Sequence, residues 1–271
     1  PVEIGPVLEK HIYGQKETVI FSSATLTVNR KFDFMADRLG LRSYEQYEPG
    51  RTAYESLGSS FDFNNQALLG VTQFLPEPGD PNGCFVDKFV KMLIPLLKTT
   101  KGRALVLFTS YAMLNRAYPL VKEALEGDGI LVLAQGIDGE RSRLATIFER
   151  DVSSVLMGTQ SFWEGVDISG ETLSCLALAK LPFQVFTDPV VKARCDLLKA
   201  RGRSPFMDYS IPVAVIRLKQ GFGRLIRSKS DRGIVMICDR RVATKRYGSH
   251  FLNSLPVEAH IYNGVQKMLD D

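Results

Sequence analysis

The chain has 271 residues, 45% hydrophobic and 24% charged, with 13 Pro and 22 Gly, a profile that excludes disordered, collagen-like and mucin-like chains. At roughly 150 residues per domain, this length suits one large or two small domains with a real core and no need of disulfides. The formal charge of +4 hides an uneven distribution: residues 192–246 hold 15 Lys/Arg against 4 Asp/Glu, a local +11, which leaves −7 on the rest. Such a block suits a polyanion-binding face, with a set of solvated helix faces as the plain alternative.

In chain order, the first eighty residues read as irregular, with a short β run at 19–21, a helix over 29–39 and a strand-like stretch near 56–63. The sequence PEPGDPNG at 76–83 breaks the chain. Beyond it the pattern predicts helices over 85–97, 112–126, 140–150, 189–200 and 212–226, with strands at 103–108, 130–134, 154–157, 173–179 and 233–238. Helices near 247–253 and 257–269 close the chain. Apolar strands alternating with helices of ten or more residues predict a three-layer α/β/α domain with a mostly parallel sheet. In such sheets ligands bind at the carboxyl ends of the strands.

Cys84, Cys175, Cys195 and Cys238 form no CxxC pair and lie near no His cluster, so they read as reduced thiols and no metal site is expected. The longest apolar runs fall far short of the ~20 residues of a membrane span. No signal-peptide pattern opens the chain, and an intracellular, cytoplasmic protein without membrane contact is expected. A start at Pro1 rather than Met fits a piece of something longer.

Three stretches carry chemistry. After the strand ending at Phe108 come Thr109, Ser110 and Tyr111, which suit a helix N-cap, a phosphate-holding helix start, or both. After Met157 the chain reads GTQSFWEGVDISG. Here Thr159 and Ser161 precede Phe162 and the single Trp, Trp163. The carboxylates Glu164 and Asp167 stand three apart, and Gly165 and Gly170 allow tight backbone geometry. A Gly-rich surface loop with Trp163 in the core is the bland reading. The third is QGFGRLIRS at 220–228, where helical spacing places Gln220, Arg224 and Arg227 on one face with Arg217 beside them. Val215, Leu218, Phe222 and Leu225 then face the sheet. Gly221 and Gly223 cost such a helix roughly 1 kcal/mol each relative to Ala, which makes sense if another surface comes close. Two rigid guanidiniums suit a triphosphate whose charge shifts during phosphoryl transfer, and a basic solvated face is the alternative.

SSATL (22–26), LVLFTSY (105–111), GTQSFWEGVDISG and QGFGRLIRS, in this order, resemble the DinG/XPD family of superfamily-two DNA helicases, most of all its bacterial DinG branch. DPVVKAR, SPFMDYSIP and CDRR extend the resemblance over nearly the whole chain. It implies two RecA-like domains that bind ATP and Mg²⁺ between them and move 5′→3′ on single-stranded DNA. The phosphate-binding loop, acidic box and any iron–sulfur cluster belong to the first domain, and this chain has no GxxxxGK[ST] and no DEAH-like box. The chain then corresponds to the second RecA-like domain (84–271) behind a connector (1–83).

The same resemblance implies roles residue by residue. Arg224 and Arg227 match arginine fingers, and Gln220 orients nucleotide or water. Glu164, Gly165 and Asp167 face the ATP cleft. Thr109, Ser110, Thr159, Gln160 and Phe162 contact single-stranded DNA, and Ser23 and Thr25 couple nucleotide state to grip. A helicase-like part that positions DNA in a DinG-type nuclease, and a non-motor nucleic-acid-binding module, are the alternatives.

Overall fold

A computed structural model describes residues 1–80, 82–159, 162 and 173–271. In chain order its main elements are α1 (Asp33–Leu39), α2 (Leu41–Tyr47), β1 (Ala67–Thr72), α3 (Phe85–Thr99), β2 (Ala104–Leu107) and α4 (Tyr111–Glu126). There follow β3 (Val132–Ala134), α5 (Arg141–Arg150), β4 (Val155–Gly158), β5 (Cys175–Leu178), α6 (Pro189–Ala200) and α7 (Ile211–Phe222). The last are β6 (Gly233–Ile237), α8 (Gly248–Leu252), β7 (Ala259–Tyr262) and α9 (Val265–Asp270). The residues group into two compact units, 1–59 with 183–216 and 60–182 with 217–271.

The larger unit holds a seven-stranded sheet in the order β3-β4-β2-β5-β6-β1-β7. Every pairing in it is parallel. The expected α/β architecture is therefore present, with the sheet wholly rather than mostly parallel. Its central strands are unbroken apolar runs, ALVL in β2 and CLAL in β5, buried at every position. Burial on both faces is what a parallel sheet covered by crossover helices requires. Ala104, Val106 and Phe108 share one core with Phe89, Leu93 and Leu97 of α3 and Leu114, Val121 and Leu125 of α4. Leu105, opposite Leu156 and Leu176, points to the other face and is equally buried. Cys175 and Cys238 lie in this core, and burial pushes the Cys175 thiol up to about 12 and that of Cys238 well above its usual value. All four cysteines are free.

The smaller unit has its own cluster: Val191 and Cys195 of α6 pack with Tyr209, Phe34, Leu198 and Val213. Asp188 starts α6, its Oδ1 accepting from Val190 N at 2.8 Å and Val191 N at 3.0 Å, with Pro189 at the first helical position.

Several expected elements are corrected. The run 19–21 forms no strand, and Ile20 is 84% exposed. The strand expected near 56–63 lies instead at Ala67–Thr72, inside a stretch that reads as irregular because Gly70 interrupts its apolar run. The first long helix begins at Asp33 rather than near Asn29, because Asn29 and Arg30 take positive φ in a turn closed by Val28 and Lys31. The closing helix expected over 257–269 divides into β7 and α9, with β7 paired to β1. Most consequentially, α7 ends at Phe222 instead of 226. The bond from Gly223 N to Lys219 O is its last helical one, and Arg224 N and Leu225 N turn back to Gly221 O and Phe222 O.

Between α3 and β2, Lys101, Gly102 and Arg103 all take left-handed φ. A Cβ on Gly102 would sit 2.1 Å from the Ser153 carbonyl oxygen. Gly102→Ala should therefore destabilise the chain by about 2–4 kcal/mol in chemical denaturation, combining left-handed strain with a backbone clash. Gly127→Ala, at φ −69° with nothing within 4 Å, should change stability by less than about 0.5 kcal/mol.

Candidate functional site

At the carboxyl ends of β2, β3 and β4 a polar network replaces the apolar core. Gln135, just past β3 and 8% exposed, accepts at Oε1 from Thr159 N (2.9 Å) and Thr159 Oγ1 (3.0 Å). Its Nε2 donates to Tyr111 OH at 2.8 Å. Both protons of Thr159 are thus directed inward, and at 6% exposure this residue braces the loop rather than facing solvent. Ser110 is the N-cap of α4, its Oγ accepting from Met113 N at 3.4 Å, and it remains exposed. Thr109 beside it is half-buried. Tyr111, 50% exposed, is the outward end of the network. Gln135 is the residue that sequence reasoning misses. A lone Gln immediately after an apolar strand is the signal that could have found it.

Phe162 lies in the core with no solvent exposure, its ring packed on Gly158. It is not presented as a stacking platform for a base. Gln160, Ser161, Trp163, Glu164, Gly165 and Asp167 lie outside the described residues.

The second constellation follows α7. Gln220 is exposed in the last helical turn, whereas Arg217 is only 8% exposed and so does not join an outer face. Arg224 and Arg227 are half-buried on a non-helical segment, so the helical spacing that grouped them with Gln220 does not apply. The core side of the expected pattern does hold, with Val215, Leu218, Phe222 and Leu225 all buried.

What places Arg227 is a braced turn. The Asp231 Oδ2 accepts from Arg227 N and Ser228 N, each at 2.8 Å, and Ser228 Oγ donates to Oδ1. Gln66, 4% exposed, donates from Nε2 to Ser228 O (2.9 Å) and Asp231 O (3.0 Å), and its Oε1 accepts from Asp62 N. Burial alone would raise the Asp231 carboxyl, but bonds from Ser228 Oγ and the Arg227 and Ser228 N–H groups outweigh it and hold the group below its ordinary value.

At the carboxyl ends of β5 and β6, the fully buried Asp239 accepts from Leu181 N (3.0 Å), Arg241 Nε (2.9 Å) and Arg241 Nη2 (2.6 Å). Beside it Lys180 lies over the Phe85 ring, 5.7 Å from its centroid. Burial and then the Arg241 charge push its ammonium below the usual range, with Asp239 opposing. In the other unit, Ser23 and Thr25 sit together, Thr25 N donating to Ser23 Oγ at 3.2 Å with the hydroxyls 3.3 Å apart.

Among the described residues no group of three His, Cys, Asp or Glu is placed to hold a metal ion, and no helix is long and apolar enough to cross a membrane.

A wholly parallel α/β sheet with buried polar braces at the carboxyl ends of its strands belongs to the class of fold that seats its ligands there. Residues 93–258 match the family described as the helicase C-terminal domain, and the chain belongs to that family. It is 38% identical over 256 residues to the ATP-dependent DNA helicase YoaA of Haemophilus influenzae, covering 94% of this chain and 38% of that one. It is 36% identical over 258 residues to the 3′-5′ exonuclease DinG of Bacillus subtilis, covering 94% of this chain and 27% of that one. The chain thus spans well under half of these relatives. Among solved structures, XPD_APO superposes with a TM-score of 0.64 at 15% identity, covering 96% of this chain and 52% of that one. Saccharomyces cerevisiae Dbp5 bound to RNA and ADP BeF3 gives 0.51 at 15% identity, covering 85% and 51%. The fold is that of a RecA-like helicase domain.

Because the Asp231 carboxyl is held low in the folded chain, it adds stability above its unfolded value of about 3.9 and loses it as pH falls through the folded value. Asp231→Asn should therefore be less stable than wild type at pH 6. The two stabilities should converge as pH drops below about 3.9, followed by urea denaturation at each pH.

Proposed function

We propose that this chain is the second motor domain of an ATP-dependent DNA helicase of the DinG/YoaA kind, with 5′→3′ travel as the family resemblance implies. In this reading Arg224 and Arg227 act as arginine fingers toward ATP held by a first domain of the same protein. Gln220 helps orient the nucleotide or the attacking water. The carrying observation is the braced turn at 227–231: Asp231 and the buried Gln66 fix the backbone next to Arg227. A guanidinium stabilises transition-state charge only if it is positioned before the charge develops. The donor set fits a polyphosphate, since half-buried guanidiniums give planar, permanently charged donors. Mg²⁺ would be held with the β- and γ-phosphates on the first domain, and Glu164, Gly165 and Asp167 are proposed to face the same cleft.

The single-stranded DNA track is proposed to run over Ser110, Thr109 and Gln160, with Thr159 as a brace behind them. Ser23 and Thr25 are proposed to link nucleotide state to grip. Sequence-tolerant binding needs phosphate contacts more than base-edge hydrogen bonds, which suits hydroxyls and arginines. Residues 1–83 are proposed as the connector and 84–271 as the motor domain proper, with β1 of the sheet supplied from ahead of that boundary. The name of the Bacillus subtilis relative supports a second reading, a helicase-like part that positions DNA for a nuclease.

In the full-length protein, Arg224→Ala or Arg227→Ala should lower DNA-stimulated ATP turnover by about 10³-fold or more and leave nucleotide-free DNA binding largely intact. Normal unwinding by either variant would make these ordinary surface arginines. Kept DNA cleavage with lost ATP turnover would favour the nuclease reading. The 271-residue chain by itself should show no DNA-stimulated ATPase, since its sequence has no GxxxxGK[ST]. Its affinity for an oligothymidylate should fall steeply with salt, the slope of log K against log salt being about −0.7 per phosphate neutralised.

A further inference from the structure

The smaller unit contains a cleft of about 500 Å³ whose lining includes Arg38, Arg42, Arg194, Arg201 and Arg203 with Glu3, Asp37 and Asp208. The three carboxylates are already used. Glu3 pairs with Arg201 at 2.6 Å, Asp37 with Arg42 at 3.3 Å and Arg203 at 3.2 Å, and Asp208 with Arg203 at 3.6 Å. Among the described residues Arg38 and Arg194 have no ion-pair partner.

Both instead lie on the ring of Tyr209, Arg38 Cζ 5.9 Å and Arg194 Cζ 5.8 Å from its centroid. That ring is 3% exposed, which fixes it as a floor. Arg194 Nη1 donates to Tyr209 OH at 3.0 Å, while its Nε is buried without a hydrogen-bond partner. Burial, and then the neighbouring Arg194 charge, lowers the Arg38 guanidinium from its usual value. Two like charges that act on one another are thus held against one aromatic ring, partly desolvated, an arrangement that costs free energy until an anion neutralises them. Planar guanidinium forks match the oxygens of a phosphate group.

We propose that Arg38 and Arg194, oriented by Tyr209, form a phosphate-binding site in this cleft. The ligand is a phosphate oxyanion, either in the backbone of a single-stranded nucleic acid or as a free phosphate. In its nucleic-acid form the site rests on the proposed single-strand-binding reading, and it makes no use of the arginine-finger assignment.

The test compares the wild-type 271-residue chain with R38Q, R194Q and R38K. Binding of inorganic phosphate is read by calorimetry, and binding of a fluorescein-labelled oligothymidylate by anisotropy over a range of salt. If the phosphate is a backbone one, R38Q and R194Q reduce the magnitude of the salt slope by about 0.7 each, with R38K closer to wild type. If it is free phosphate, both Gln variants lose the calorimetric signal while the oligothymidylate slope stays that of wild type. Unchanged slope and unchanged phosphate binding in folded R38Q overturn the site. That result leaves overall single-strand binding, and so the wider reading, intact. Circular dichroism establishes folding. Should R194Q unfold through loss of its Tyr209 bond, R38Q decides, because Arg38 makes no hydrogen bond among the described residues.

Discussion

A sheet whose strands are buried on both faces can present chemistry only at their ends, and that constraint orders everything else in the larger unit. β2, β4 and β5 are buried at every position, so each becomes polar only where it stops. At those ends lie Gln135 and Thr159, Ser110 at the start of α4, and the Asp239–Arg241 pair beside Lys180. Parallel pairing puts these ends on one edge, since every strand runs the same way. Loops from different crossovers then meet without any of them being adjacent in sequence.

Polar groups buried there act mainly as braces. Gln135 uses its amide oxygen on Thr159 and its amide nitrogen on Tyr111, and Gln66 does the same for the turn that follows Arg227. An amide with all its groups bonded is a costly thing to disturb in a low-dielectric interior, which makes it a stiff mount. Asp239, just past β6, is tied in the same manner to Leu181, three residues beyond β5, and to Arg241. The smaller unit contrasts with this economy: its acids pair with Arg42, Arg201 and Arg203 and leave Arg38 and Arg194 on the face of Tyr209.

Strong local signals were legible in the sequence. The helix at Pro189–Ala200 was readable to the residue, because Asp188 and Pro189 form a start signal that acts within one turn. The five strands β2 to β6 were equally plain, as apolar runs between helical patterns. The strands β1 and β7 were not. Gly70 breaks the first, and the second, AHIY, is short and half-polar, so each becomes a strand by pairing with its neighbours. The site divides the same way. Ser110 was readable as a cap, whereas the inward turn of Thr159 depends on Gln135, 24 residues away.

The residue types of the proposed site, and the order of motifs that places this chain in its family, were determined by the sequence alone, because both are properties of local runs. Helical spacing put Gln220, Arg224 and Arg227 on one face, yet the helix stops at Phe222 and a turn held by Asp231 and Gln66 sets the two arginines. Only the tertiary structure decided that, because the partner that braces the turn lies 162 residues away from Ser228 and no local pattern carries such a contact. The same holds for the Arg38–Arg194–Tyr209 cluster, whose members come from distant parts of the chain and whose charge is unbalanced only once folding has assigned the nearby acids to other arginines.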